Sequence, residues 1–249
     1  MTRRITAIAC ALTFIPLAAA LADEPGAGDF GTDTMADWLH RFGFGQRTGL
    51  DNAFEAEGLI GTPEWSRRVR KTSWYAGEAV SVSIGQGPVL ATTLQLARAF
   101  AALAHSGRLV TPHLVAPERY PAQDLDLNPE HLQLVTRALA EVVHGDGGTA
   151  RRLAALPVAG KTGTAQVGGN RPDHAWFAGI AGPRNGDPEI VVVVIVEFGE
   201  SGSGVAAPLV AKTADFYLRQ KHGIPLDSIQ TLGEHYRTGT PAPWVALIP

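Results

Sequence analysis

VAGKTGTAQV, Val158 to Val167, decides how this chain is read. A lysine and two threonines sit among glycines between apolar flanks, and two chemistries use such a stretch. One is a loop that cradles phosphates; the other is the edge of an acyl-transfer cleft. A phosphate loop needs Gly-x4-Gly-Lys-Ser/Thr running directly into a helix. Counting back from Gly160 puts Ala155 where the first glycine belongs, and Pro157 falls inside the would-be loop. Thr164-Ala165-Gln166-Val167 then continues as a strand, so no helix N-terminus faces an anion. A strand edge remains. There Lys161 places a cation beside a carboxylate, and the Thr162 and Thr164 hydroxyls can hydrogen-bond it. Gly163 keeps the strand bare for a peptide, and the next backbone N–H can meet a developing oxyanion.

The neighbouring sequence supplies a sheet for this strand. Turn residues Gly168 to Pro172 lead to a second strand, His174–Ala181, and Gly182 to Pro188 lead to a third, Ile190–Phe198. Short links favour antiparallel pairing. The valines at 191 to 194 lack alternation, which predicts a strand covered on both faces. A helix over 206–219 follows, with Leu209, Val210, Thr213, Phe216 and Tyr217 expected to pack on the sheet.

Helices precede the sheet. The spacing of Met35, Trp38, Leu39 and Phe42 predicts a helix over 33–42, ended by glycines 43, 45 and 49. Residues 58–71 read as a loop with a basic turn, Arg67, Arg68 and Arg70 forming a solvated face. Thr92 or Thr93 caps the next helix, with Leu94, Ala97, Phe100, Ala101 and Ala104 as its buried stripe and Gly107 as a left-handed stop. Arg108 to Val115 read as extended. Asn128-Pro129 starts another helix, with Leu132, Val135, Leu139 and Val142 inside and Gly145 beyond its end. Thr149 to Leu156 read as a shorter one. Helices, a short antiparallel sheet and a covering helix define an α+β domain.

Composition narrows the function classes. Of 249 residues, 45% are hydrophobic and 18% charged, which suits a folded domain. A net charge near −3 with interspersed signs gives no nucleic-acid surface. Cys10 is the sole cysteine, so neither an intrachain disulfide nor a thiolate metal cluster is available. The histidines show no ligand spacing, His174 reads as structural and Glu197 as an edge carboxylate; no metal or cofactor is expected. Residues 1–22 combine Arg3 and Arg4, an apolar run and Ala20-Leu21-Ala22, the pattern of a cleaved export signal or a retained signal anchor. Either reading delivers the remainder outside the cytoplasm. Residues 23–30 read as a linker, 31–220 as the folded part and 221–249 as a Pro- and Gly-containing tail.

From Gly31 onward the chain resembles class B penicillin-binding proteins of the elongation type. The resemblance rests on DWLHRFGFGQRTGLD, SIGQGPVLATTLQLARAFAALAHSG, VAGKTGTAQV, DHAWFAGIAGP and AAPLVAKTADFYL, in the family's order and spacing. It implies the C-terminal part of a penicillin-binding transpeptidase and serine β-lactamase-like fold, and peptidoglycan D,D-transpeptidation as the family activity. Lys161, Thr162, Gly163 and Thr164 would be substrate-binding, with the Thr164 N–H half of an oxyanion hole. Peptidoglycan stem peptides, β-lactams and elongation-machinery proteins would be partners. The family's nucleophile is the serine of Ser-x-x-Lys. No serine here has lysine three residues on, and neither Ser-x-Asn nor Ser-x-Asp occurs. No catalytic residue is therefore assigned. The sequence reads as the second half of a transpeptidase domain, inactive alone and open to a complementary half-domain; the alternative is a non-catalytic exported module that binds peptidoglycan peptides or partner proteins. Without the helices of the other half, the inner face of the sheet is expected to be partly bare.

Overall fold

The computed structural model describes residues 31–50, 54–115, 122–154, 158–182 and 187–224. The expected export segment, the linker, and the tail beyond residue 224 lie outside these. In chain order the labelled elements are α1 (Thr32–Arg41), β1 (Leu59–Ile60), α2 (Ala76–Ser83), β2 (Val89–Leu90), α3 (Thr93–Ala104), β3 (Arg108–Val110), β4 (Ala122–Asp124), α4 (Pro129–His144), β5 (Val158–Ala165), β6 (His174–Ala181), β7 (Ile190–Val196) and α5 (Ala207–Lys221). The α+β class holds. Two short antiparallel pairs, β1 with β2 and β3 with β4, flank the helices.

The principal sheet is antiparallel in the order β5-β6-β7, with Lys161 opposite Ala178 and Gly163 opposite Trp176. Side chains alternate between faces along a strand. Val158, Ala175, Phe177 and Ala181 therefore share one face, where they pack with Val210, Ala211 and Ala214 of α5. Ala159, Trp176, Ala178 and Ile180 share the other, in one core with Leu96, Phe100 and Leu103 of α3. Each fully buried Phe, Val or Leu in these layers contributes roughly 1.5–3 kcal/mol by leaving water. The valine strand does have helices on both faces, yet all seven of its residues stay half-buried.

Local signals explain the helix ends. The Thr92 hydroxyl accepts from the Gln95 N–H at 3.1 Å while the Gln95 side chain accepts from the Thr92 N–H at 2.9 Å, a reciprocal cap on α3. Asn128 accepts from the Glu130 N–H at 2.8 Å at the start of α4. Gly107 takes φ +83° after α3, and glycines 43, 45 and 49 are likewise left-handed after α1.

Several expectations about faces are corrected. On α3 the buried residues are Gln95, Leu96, Ala99, Phe100, Ala102 and Leu103, so only Phe100 of the predicted stripe is fully buried. Gln95 rotates the helix: its amide donates to the carbonyls of Gln46 (2.6 Å) and Glu57 (2.8 Å), which satisfies a polar group at zero exposure. On α5 the alanines turn inward, and Leu209 (47% exposed) and Phe216 (45%) face out. Small side chains let the helix lie close on the valine sheet. Residues 76–83, left without an element by the sequence, form α2, whose start is held by the Tyr75 N–H donating to Glu78 at 3.0 Å. Arg67, Arg68 and Arg70 are exposed as expected, and Arg70 in addition pairs with Glu78 at 2.6 Å and lies over the rings of Trp65 and Trp74. The predicted helix at 149–156 is a single tight turn, Arg151–Leu153, within the described residues. On the sheet's inner face Ala159, Trp176, Ala178 and Ile180 are buried, while Val191, Val193 and Ile195 of β7 are half-buried, so the face is covered at its centre and partly open along β7.

A helical turn, Gly202–Ala206, leads into α5 and crosses the sheet at Gly163 and Trp176. A Cβ on Gly202 would collide with the Gly163 carbonyl and lie 2.6 Å from the Trp176 carbonyl and 3.0 Å from the Gly163 nitrogen. These are backbone atoms and cannot turn aside. Gly202→Ala is expected to destabilise the protein by about 1–3 kcal/mol, read as a lower urea midpoint. Gly77→Ala, where a Cβ meets nothing within 4 Å, should leave the midpoint unchanged or raise it.

Candidate functional site

The sequence placed the site on Lys161 to Thr164, and the structure puts these residues in the middle of β5, a terminal strand of its sheet. Among the described residues its outer edge pairs with no strand. Lys161 and Thr162 are half-buried, Gly163 is buried and Thr164 is exposed. Alternation sends Lys161 and Gly163 toward the α3 side, and Thr162 and Thr164 toward the α5 side. Cation and hydroxyls thus leave one strand edge on opposite faces. The lysine turns back along the strand, and its ammonium donates to the Thr162 carbonyl at 2.7 Å.

Two residues that sequence reasoning did not assign to the site anchor this strand from α4. His144, the last residue of α4, bonds through Nε2 to the Val158 carbonyl at 3.1 Å. Thr149, from the Gly-rich loop that follows, lies 2.9 Å from the Thr162 hydroxyl, Oγ1 to Oγ1. A loop reading of GDGGT, rather than a helix start at Thr149, is the signal that could have found it. His174 is structural as expected: it is buried, and its Nδ1 accepts from the Phe198 N–H at 2.9 Å. The indole N–H of Trp176, the residue opposite Gly163, is buried without an acceptor among the described residues. Leaving such a donor unpaired costs roughly 1–3 kcal/mol. Among the described residues no group of three or more His, Cys, Asp or Glu side chains is placed to hold a metal ion. None of their helices is long and apolar enough to cross a membrane.

A lysine and two hydroxyls along an open strand edge have the donors needed to bind a carboxylate. A family model for the penicillin binding protein transpeptidase domain matches residues 16–215, taking in residues 16–22 of the stretch expected as an export signal. The chain belongs to the penicillin-binding protein transpeptidase family. Among individual relatives, the peptidoglycan D,D-transpeptidase MrdA of Acinetobacter baumannii is 37% identical over 225 residues, covering 80% of this chain and 33% of that protein. Penicillin-binding protein 2 of Pseudomonas aeruginosa, solved in complex with WCK 5153, superposes with a TM-score of 0.69 at 41% identity, over 84% of this chain and 47% of that one. The corresponding protein of Helicobacter pylori, solved with MreC, gives 0.67 at 28% identity, over 82% of this chain and 37% of that one. The chain spans about a third of the length of the curated relative it matches.

His144 generates a pH prediction. The Val158 carbonyl can only accept, so Nε2 carries the ring proton. Burial lowers its pKa below the ordinary 6.5, and the hydrogen bonds to the Val158 and Ala154 backbone and the nearby Glu141 carboxylate offset this only in part. The folded state therefore binds fewer protons than the unfolded one just below 6.5. Its stabilising share is complete above that pH and is lost as pH falls through the folded pKa. The thermal midpoint should drop on acidification from pH 7.5 to 5.5, and His144→Gln should show a smaller drop. An equal drop in the variant would remove His144 as the cause.

Proposed function

We propose that this chain carries the carboxylate-binding strand of a peptidoglycan D,D-transpeptidase and has no acylating activity by itself. The observation that carries this reading is a pairing of presence and absence. Lys161, Thr162, Gly163 and Thr164 lie on an open strand edge, while no Ser-x-x-Lys or Ser-x-Asn occurs in the sequence.

In this reading Lys161 attracts the terminal carboxylate of a D-Ala-D-Ala stem peptide, and the Thr162 and Thr164 hydroxyls bind it. Gly163 admits the peptide backbone. The Thr164 N–H is one oxyanion donor; the other, the nucleophile's own N–H, has no counterpart in a chain without that serine. Attack on the penultimate carbonyl, loss of D-alanine and transfer to a neighbouring stem peptide all require the serine. A complementary half-domain is the partner that would restore it. β-Lactams and elongation-machinery proteins are the other partners, in keeping with the family and with a relative solved together with MreC. The site of action is the periplasm or the outer face of the inner membrane.

One observation favours a second reading, a non-catalytic exported module that binds peptidoglycan peptides. The centre of the sheet's inner face is buried, with Trp176 only 1% exposed. Such packing supports the reading of a chain that folds as a unit.

Incubation of the purified chain with a fluorescent penicillin should give no covalent adduct by intact mass. An acylated serine would overturn the claim of inactivity. Lys161→Ala should weaken binding of a D-Ala-D-Ala peptide roughly ten-fold or more, the worth of a charged hydrogen bond. Unchanged affinity would remove the strand as a binding site.

A further inference from the structure

Two contacts fix Thr162 on the strand edge. Its carbonyl accepts the Lys161 ammonium at 2.7 Å, and its hydroxyl lies 2.9 Å from that of Thr149. The second contact bridges 13 residues of sequence. Thr149 is exposed and fills no core, so packing does not explain where it sits.

What holds Thr149 there is backbone. Gly145 ends α4, its N–H donating to the Glu141 carbonyl at 2.9 Å. The Ala150 N–H returns to the Val142 carbonyl at 2.9 Å. Ala150 itself is 1% exposed and packs with Leu153 and Val158. Gly148 is confined too, because a Cβ there would lie 2.5 Å from the Val142 carbonyl oxygen and 2.6 Å from that of Glu141. Thr149 lies between these two fixed neighbours, and its hydroxyl reaches β5 on the α5 side, where Thr162 emerges.

A hydroxyl has one proton and two lone pairs. An isolated Thr162 hydroxyl is free to spend its proton on water or on a nearby carbonyl. To receive a carboxylate it must donate outward. We propose that Thr149 is a positioning residue for the carboxylate site: its hydroxyl donates to Thr162 Oγ1, which turns the Thr162 proton toward the open edge and any carboxylate there. Thr149 touches no ligand in this arrangement and acts only through Thr162. The inference rests on the carboxylate-binding reading of β5.

The test uses the full chain and two probes, a fluorescein-labelled Lys-D-Ala-D-Ala peptide with a free C-terminal carboxylate and the same peptide amidated. Fluorescence anisotropy gives the ratio of the two affinities. The wild type should prefer the acid. Thr149→Val, which keeps shape and loses the hydroxyl, should lower that preference about five-fold, the worth of one neutral hydrogen bond. Amide binding and the thermal midpoint should stay unchanged. Thr149→Ser should restore the wild-type ratio. A purely structural role would weaken acid and amide alike, and serine would then give no selective rescue; either result overturns the proposal. If Lys161→Ala abolishes the preference while Thr149→Val retains it, the carboxylate site stands and the role of Thr149 falls. If the wild type shows no preference, the carboxylate reading fails and the role of Thr149 fails with it.

Discussion

The closeness with which the turn at 202–206 lies on β5 and β6 controls the rest of the site. Gly202 rests against the backbone of Gly163 and Trp176 with no room for a methyl group. From there α5 runs over the sheet on alanines, with Ala207, Ala211 and Ala214 almost fully buried. Thr162 and Thr164 leave β5 on this same side. A thicker layer would hold the turn away from the strand; a bulkier strand would push the turn off. With glycine against glycine, the layer seals the apolar centre and still leaves Thr164 exposed at the rim.

Most of the architecture was legible because it depends on local rules. Apolar spacing and left-handed glycines located α1, capping residues and glycines located α3 and α4 to within a residue or two, and strand patterns located β5, β6 and β7. Helix orientation was less legible. Polarity sorted Gln95 outward, although it is buried by hydrogen bonds to two distant carbonyls. Size sorted Leu209 and Phe216 inward, although α5 turns mainly its alanines, with Val210 and Leu218, onto the sheet. Both failures come from tertiary fit overriding intrinsic preference. The site was legible as a motif, Lys161 to Thr164, but not its supports. His144 and Thr149 are visible only once α4 is seen to end beside β5, a proximity that no local pattern encodes.

Those supports give the strand edge a second framework besides the sheet. Pairing with β6 sets the register of β5, and contacts from the end of α4 fix its outer flank at Val158 and Thr162. Trp176 pairs with Gly163 across the sheet and faces the α3 side, and its buried indole N–H has no acceptor among the described residues.

Under the carboxylate-binding proposal, the division of the edge between two faces would separate two kinetic tasks. Lys161 would supply a long-range field that speeds the arrival of an anion and fades as ionic strength rises. The hydroxyls on the other face would act only at contact distance and so govern residence rather than arrival. Capture and retention would then be set by different side chains, and a change to one would leave the other's rate constant untouched.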